Sequence, residues 1–195
     1  MRLVVGMTGA TGAIYGIRLL EALKDLGVET HLIVSSWAEK TIAIETDYTV
    51  DEVKRLASRV HPLQNQAAPI SSGSFATAGM AVIPCSMKSL AAIAHGFSDN
   101  LVHRAADVVL KERRKLVLVP RETPLHDIHL QNMLTLSRSG AVILPPMPAF
   151  YNRPASVDDI VNHTVARVLD QFGIENSLTK RWGQQAAVMA ETGDL

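Results

Sequence analysis

Five short apolar runs, most of them separated by stretches with helical periodicity, constrain the fold of this chain most strongly. The runs span residues 3–6, 30–34, 80–84, 116–119 and 141–144. They are rich in Val, Ile and Leu and do not alternate with polar residues, which is typical of parallel strands covered on both faces. The sequence therefore predicts the α/β class, with a doubly wound, Rossmann-like three-layer fold around a mostly parallel sheet.

Residues that cap or end helices lie between these runs and predict where the helices begin and end. An amphipathic segment follows the first run and stops at Gly27, and a second begins near Val157 behind a cap formed by Ser156 and Asp159. Residues 61–74 lack any period and collect Pro, Gln, Asn, Ser and Gly, which predicts a long functional loop. We expect one domain over 1–178 and a C-terminal tail over 179–195, either mobile or docked on a neighbouring subunit.

Composition excludes several classes of partner. Nineteen basic residues balance nineteen acidic ones, so no positive charge excess favours nucleic acid or an anionic membrane. With 47% hydrophobic and only 19% charged residues, the chain is expected to bury apolar surface in a homo-oligomer. The lone Cys85 excludes an internal disulfide, and the N-terminal apolar run is too short for a signal or a membrane span. These features predict a cytoplasmic protein.

Two strand-to-helix junctions carry residues suited to an anion. The first run leads through Gly9, Ala10 and Thr11 into a helix, and such a turn can place backbone N–H groups against a phosphate. A ligand-free tight turn is the alternative. The second run ends at Ser35 instead of the acid that a dinucleotide ribose requires, which disfavours NAD. The junction over 86–89 adds hydroxyls and one cation, although capping alone would also explain its first serine.

Other charged residues are candidates for chemistry at the same edge. Arg121 and Glu122 follow a buried run, where a charged pair is more often functional than on a helix face. Glu45 ends an apolar helical stretch, and surface exposure is an equally good interpretation. His126 and His129 have ligand spacing, but without a third ligand nearby we predict no metal site.

The sequence resembles the UbiX family of flavin prenyltransferases. The matching blocks cover nearly the whole chain and lie at 6–16, 71–75, 84–90, 104–114, 118–133 and 140–151. The resemblance implies a homododecamer that binds FMN at its subunit interfaces. It also implies metal-independent transfer of a dimethylallyl group from dimethylallyl monophosphate to N5 and C6 of reduced FMN. The product, prenylated FMN, is the cofactor of UbiD-type decarboxylases of aromatic acids.

The family's site residues carry over by position. Flavin contacts fall on Gly9, Ala10, Thr11, Ser35, Ser86, Met87, Lys88, Ser89 and Arg121. Prenyl-phosphate contacts fall on Tyr151, Arg167, Arg104, Lys111 and Trp182. The resemblance implies that Arg104, Lys111 and Glu122 join Tyr151 and Arg167 across subunits. Catalytic roles fall on Glu45, Thr11, Lys111 and Glu122. Thr11 stands where the family usually has Ser, which keeps the hydroxyl and adds a methyl group.

Some alternatives stay open at this point. The cations and Tyr151 would stabilise the leaving phosphate, while Glu45, Glu122 or that phosphate could accept the proton released from C6. A flavin-dependent cysteine decarboxylase is disfavoured because its substrate-clamp motif is missing at 146–151. A non-catalytic FMN-binding accessory subunit of an aromatic-acid decarboxylase is the alternative function. The sequence does not distinguish ubiquinone synthesis from phenolic acid breakdown as the pathway served.

Overall fold

A computed structural model describes residues 1–183 of the chain. The described residues form two compact units, one over Met1–Pro146 and a second that begins at Met147. The strands are β1 (Arg2–Met7), β2 (Glu29–Val34), β3 (Arg59–His61), β4 (Gly79–Cys85), β5 (Lys115–Pro120) and β6 (Val142–Ile143). The helices are α1 (Ala13–Asp25), α2 (Ser36–Glu45), α3 (Val50–Leu56), α4 (Met87–Ala94), α5 (Leu101–Lys111), α6 (Asp127–Arg138) and α7 (Val157–Gln171), with a 3-10 turn at Pro69–Ser71.

The first unit is built on one sheet with the strand order β3-β2-β1-β4-β5-β6, and every pairing is parallel. The chain starts in the middle of the sheet, winds outward to β3 and then returns to β4 beside β1. In register, Gly6 of β1 lies between Ile33 of β2 and Val82 of β4. The carboxyl ends of these three strands therefore meet where the winding direction reverses, the position at which open α/β sheets bind ligands.

Helices cover both faces of this sheet. On one face α1 lies so close that a Cβ at Gly16 would be 2.6 Å from the Ile83 carbonyl oxygen and 2.7 Å from Met7 Cε. On the other face Val4, Met80 and Val82 belong to an apolar core shared with α4 and α5. Successive strand residues are buried on opposite faces, which gives the predicted doubly wound, three-layer architecture.

The five predicted apolar runs are all strands, whereas β3 was not predicted. It has only three residues, pairs with β2 alone and is exposed at Arg59 and Val60, so it lacks an apolar signature. The predicted loop over 61–74 begins on its last residue and includes the 3-10 turn at Pro69–Ser71. The sheet is also wholly parallel, where the sequence predicted a mostly parallel one.

The second unit contains α7, and its predicted N-terminal cap is confirmed. Ser156 Oγ accepts a hydrogen bond from the Asp159 backbone N–H at 3.2 Å, and the Asp159 carboxylate accepts one from the Ser156 N–H at 3.0 Å. The boundary predicted between a domain over 1–178 and a tail over 179–195 stays a prediction, and residues 184–195 of that tail lie outside the described residues. Within 1–183, no helix has the length and apolar character needed to cross a bilayer.

Candidate active site

The side chain of Thr8 joins two turns at the carboxyl edge of the sheet. Thr8 follows β1 and is buried. Its hydroxyl donates a hydrogen bond to the Pro84 carbonyl oxygen at 2.9 Å and accepts one from the Ser86 backbone N–H at 2.7 Å. The β1–α1 turn and the β4–α4 turn are therefore held together by one hydroxyl used in both roles.

Ser35 and Ser86 begin α2 and α4 at this edge. Ser35 Oγ accepts from the Ala38 N–H at 3.1 Å, and Ser86 Oγ accepts from the Ser89 N–H at 3.3 Å. The first N–H groups of a helix have no partner within the helix and carry a partial positive charge. Because both caps line one pocket, two helix N-termini favour an anion there.

That pocket has a volume of about 280 Å³. Five residues predicted from the sequence line it: Gly9, Ser35, Ser86, Lys88 and Ser89. The remaining lining residues are Thr8, Ser36, Trp37, Leu63, Asn100 and His103. Hydroxyl groups, backbone donors and one ammonium group suit a phosphate. The volume lies at the lower end of the range of roughly 300–1,000 Å³ that is usual for small-molecule pockets, which is sufficient for the phosphate end of a nucleotide.

The close approach of Trp37 requires glycine at position 9. A Cβ on Gly9 would lie 2.3 Å from Trp37 Cβ, so any side chain there would push α2 away from the β1–α1 turn. The Trp37 side chain is 63% exposed, and the Lys40 ammonium lies 4.2 Å from its ring centroid. A largely exposed aromatic ring beside the pocket is suited to contact with a planar ligand.

Glu45 lies at the last residue of α2, and its carboxylate reaches the start of α1. Glu45 Oε2 accepts hydrogen bonds from the Gly12 N–H at 2.8 Å and from the Ala13 N–H at 3.0 Å. Gly12 has a φ of 99° and offers no side-chain cap, and the first turn of α1 has no acidic residue. Glu45 therefore supplies the missing cap from a distant helix, and this contact takes two N–H groups that the sequence had left available to a ligand.

The other predicted flavin contacts have different environments. The Ala10 N–H donates to the Thr8 carbonyl oxygen at 2.9 Å, while Thr11 is exposed on the same turn. Arg121 is exposed at the end of β5, and its charge opposes the rise in the pKa of Tyr15 that burial causes. The Met87 side chain is partly buried and packs against the apolar core.

A chain of polar contacts runs from the pocket to the loop before α5. His103 Nε2 lies 3.2 Å from Ser89 Oγ, and His103 Nδ1 lies 2.6 Å from Asp99 Oδ1. Ser86 Oγ in turn donates to Ser89 Oγ at 3.2 Å. His103 is 3% exposed, and desolvation lowers the pKa of its imidazole although Asp99 opposes this shift.

The predicted substrate and catalytic residues of the first unit do not line this pocket. Arg104 donates to the Ser71 carbonyl oxygen at 3.1 Å and pairs with Asp107. Lys111 pairs with Glu112, and this ion pair lowers the pKa of Glu112. Glu122 is exposed, and its carboxylate accepts a hydrogen bond from the Thr123 N–H at 3.1 Å. Each of these residues has a local partner within the chain.

The predicted substrate residues of the second unit form an aromatic cluster beside an ion pair. The Tyr151 ring meets the Trp182 ring edge to face at 5.3 Å and the His163 ring at 5.7 Å. Arg167 is half exposed and donates to Asp170 Oδ2 at 2.8 Å. The aromatic rings can contact an apolar chain, and the Arg167 guanidinium can bind an anion.

The histidine pair of α6 and the lone cysteine have distinct surroundings in the part of the chain that the structure describes. His126 and His129 stack with ring centroids 3.5 Å apart. The described residues contain no group of three or more His, Cys, Asp or Glu side chains that could hold a metal ion. Burial raises the pKa of the Cys85 thiol to about 12, so the thiolate is not available at neutral pH.

Sequence reasoning missed Thr8, Trp37, Asp99 and His103. Thr8 and Trp37 lie next to predicted residues, so the strand-end pattern that selected Gly9 and Ser35 could have included them. The signal for His103 was a histidine on the apolar side of an amphipathic helix, with an aspartate four residues earlier. Because Asp99 precedes the N-cap residue Asn100, this spacing alone does not predict that the two side chains meet.

Comparison with known proteins gives consistent matches. The flavoprotein family model matches residues 1–169. The flavin prenyltransferase UbiX of Thauera aromatica is 58% identical over 93% of this chain and 94% of its own length. The crystal structure of a dodecameric FMN-dependent UbiX-like decarboxylase from Escherichia coli O157:H7 is 63% identical with a TM-score of 0.92, covering 93% of this chain and 99% of that one. AnUbiX (PadA1) in complex with FMN and dimethylallyl pyrophosphate is 57% identical with a TM-score of 0.92, covering 93% and 97%.

Proposed function

The chain belongs to the flavoprotein family and, within it, to the UbiX-like flavin prenyltransferases, and we propose that it transfers a dimethylallyl group from dimethylallyl monophosphate to N5 and C6 of reduced FMN. The observation that carries this proposal is the pocket at the sheet's carboxyl edge. Five of the nine flavin contacts implied by the family resemblance line it together. It therefore offers a phosphate site where the family match leads one to expect it.

The donor set of the pocket fits the FMN phosphate. The hydroxyls of Ser35, Ser86 and Ser89 can donate or accept, and the Lys88 ammonium supplies a positive charge. Two helix N-termini add backbone N–H groups, and a dianionic group is stabilised by such donors without a metal. The aromatic face of Trp37 lies beside these groups and is available to the planar part of the same ligand.

The residues of this chain would bind and orient the reactants. Reduced FMN supplies the nucleophilic nitrogen. Arg167, Lys111 and Tyr151 are proposed to hold the leaving phosphate, because two cations and a phenol stabilise the negative charge that develops on it. The Tyr151 and Trp182 rings are proposed to shield the prenyl group from water. Glu45 is proposed to accept the proton released from C6, with Glu122 and the departing phosphate as the alternatives.

The assembly and the use of the product are further parts of the proposal. Three apolar side chains on α6, those of Ile128, Leu130 and Leu134, are at least 43% exposed. Such a surface is suited to burial between subunits, which supports a homo-oligomer, here proposed to be a dodecamer. We also propose a cytoplasmic location and delivery of prenylated FMN to a UbiD-type decarboxylase.

Mass spectrometry of the extracted flavin tests the proposed reaction. The full chain is incubated anaerobically with reduced FMN and dimethylallyl monophosphate, without added metal. A flavin heavier by one five-carbon unit is the expected product. A parallel reaction with dimethylallyl pyrophosphate identifies the preferred donor. Bound but unmodified FMN with both donors would contradict the transferase and favour the accessory subunit.

A further inference from the structure

The hydrogen positions along the Asp99–His103–Ser89 contacts follow from chemistry. An ionised carboxylate only accepts hydrogen bonds, so His103 Nδ1, 2.6 Å from Asp99 Oδ1, must carry a hydrogen. The Asn100 side-chain amide donates to the same oxygen at 2.9 Å, and its nitrogen also lies 3.1 Å from His103 Nδ1 and 3.5 Å from Nε2. Because that nitrogen is itself a donor, it cannot accept the Nδ1 hydrogen. His103 Nε2, which faces Ser89 Oγ at 3.2 Å, is then the only position on the ring that can gain or lose a proton.

When His103 is neutral, both serine hydroxyls direct their hydrogens inward. Nε2 lacks a hydrogen and accepts from the Ser89 hydroxyl, and the Ser86 hydroxyl donates to Ser89 Oγ at 3.2 Å. Neither hydrogen is then available to a ligand in the pocket. When His103 is protonated, Nε2 becomes a donor to Ser89 Oγ, and the Ser89 hydroxyl hydrogen is released toward the pocket that Ser89 lines.

The charges around His103 favour the neutral ring until an anion arrives. Among the described residues, the charges that act on it are the Asp99 carboxylate and the Lys88 ammonium of α4. Burial and Lys88 hold the pKa of His103 below its usual range, and Asp99 opposes them. A phosphate dianion in the pocket would offset the Lys88 charge and stabilise the imidazolium.

We propose that Asp99 and His103 are positioning residues for the flavin phosphate: His103 takes up a proton from solvent when the phosphate binds, and the Ser89 hydroxyl then turns to donate to it. The inference rests on the proposed function for the identity of the ligand, FMN. Asp99 holds the ring with Nε2 toward Ser89, and the proton on Nε2 changes the direction in which that hydroxyl donates. Binding of FMN is thereby coupled to pH.

Isothermal titration calorimetry measures the coupling directly. Oxidised FMN is titrated into the full chain at pH 7 in two phosphate-free buffers with different ionisation enthalpies, which gives the number of protons taken up. The wild type is expected to take up on the order of half a proton per FMN. Its affinity should rise about 3-fold to 10-fold between pH 8 and pH 6.5. Riboflavin, which lacks the phosphate, should bind with little proton uptake.

His103→Gln removes the titrating group but keeps a side chain that can hydrogen-bond to Ser89. It should still bind FMN, with proton uptake near zero and little change in affinity over the same pH range. His95→Gln, at an exposed histidine after α4, is the matched control and should behave as the wild type. Should His103→Gln fold poorly, Asp99→Asn at a partly exposed position should also reduce the uptake.

Nitrogen NMR of the wild type identifies the atom that gains the proton. His103 Nε2 should change from an unprotonated to a protonated shift when FMN is added at pH 7. Uptake in His103→Gln equal to that of the wild type, equal uptake with riboflavin, or a His103 that stays neutral with FMN bound would each overturn the inference and leave the proposed function intact. A wild type that does not bind FMN would overturn both.

Discussion

The flavin-phosphate pocket and the predicted prenyl-phosphate residues differ in their burial and in the contacts that hold their side chains. In the pocket, Thr8, Ser86 and Ser89 are connected by hydrogen bonds of 2.7 to 3.3 Å, of which the Thr8–Ser86 bond joins two separate turns. The predicted prenyl residues have side chains that are at least 36% exposed, and each cation pairs with an acid on its own helix or immediately after it: Arg104 with Asp107, Lys111 with Glu112, and Arg167 with Asp170.

One subunit therefore holds the pocket in a fixed geometry, whereas the ion pairs of the predicted prenyl-phosphate residues can exchange their partners. Buried, connected hydrogen bonds hold a site in place before the ligand arrives. Exposed ion pairs contribute only about 0–1 kcal/mol each, so a substrate phosphate or a neighbouring subunit can displace the partner. We therefore expect variants of the two regions to fail in different steps, binding in one and transfer in the other.

The largest effect is expected from Arg167→Ala. It should lower the rate of prenyl transfer on the order of 10³-fold, because it removes a cation from the developing phosphate charge, while FMN binding should change less than twofold. The fold should persist, since Arg181 still pairs with Asp170 at 2.7 Å. Single-turnover mass spectrometry and flavin fluorescence measure the two quantities. The control is Arg138→Ala on exposed α6, and a large loss of FMN binding in Arg167→Ala would break the comparison.

Glu45→Gln should produce the next largest effect. The amide oxygen can still accept from the Gly12 and Ala13 N–H groups, so the unfolding free energy should fall by only about 0.3–1 kcal/mol from the lost charge at the helix N-terminus. Loss of the base should slow transfer about 10²-fold. Glu39→Gln on the same helix is the control. If transfer by Glu45→Gln is normal, the carboxylate is a cap alone.

Ser86→Ala tests whether the serine cap of α4 also contributes to FMN binding, by comparison with the serine cap of α7. It should reduce the unfolding free energy by about 1 kcal/mol through loss of the α4 cap and raise the Kd for FMN about tenfold, because the Ser89 hydroxyl loses the Ser86 donor that helps to orient it. Ser156→Ala removes the α7 cap and should cost a similar stability with unchanged FMN affinity. Urea denaturation and fluorescence titration compare the pair. Equal Kd values would show that Ser86 only caps its helix.

The smallest effect is expected in the pH dependence of stability without FMN. The pKa of His103 is lower in the folded protein than in the unfolded chain. Its contribution to stability is therefore complete above about pH 6.5, the unfolded value, and is lost as the pH falls through the folded pKa. Urea midpoints at pH 7.5 and 5.5 should fall more in the wild type than in His103→Gln. An identical fall in both would show that His103 is not a buried neutral base.

Much of the pocket could be predicted because its residues belong to local patterns. A glycine-rich turn after the first strand and serines after two later strands are recognisable as strand-to-helix junctions, and parallel strands bring their carboxyl ends to one edge. The flavin contact at Met87 stays a prediction, because the same pattern does not say which side chains of a junction turn toward the core. The edge strand β3 was missed because three exposed residues leave no apolar period.

The sequence by itself determined the fold class, the first and second junctions and the family, since these depend on residue type and spacing along the chain. Only the tertiary structure decided that Glu45 caps α1, that Thr8 joins two turns 76 residues apart, and that His103 connects Asp99 to Ser89. These are contacts between elements that separate crossovers bring together. Their distances depend on how helices pack on the sheet, which a pattern within one segment does not record.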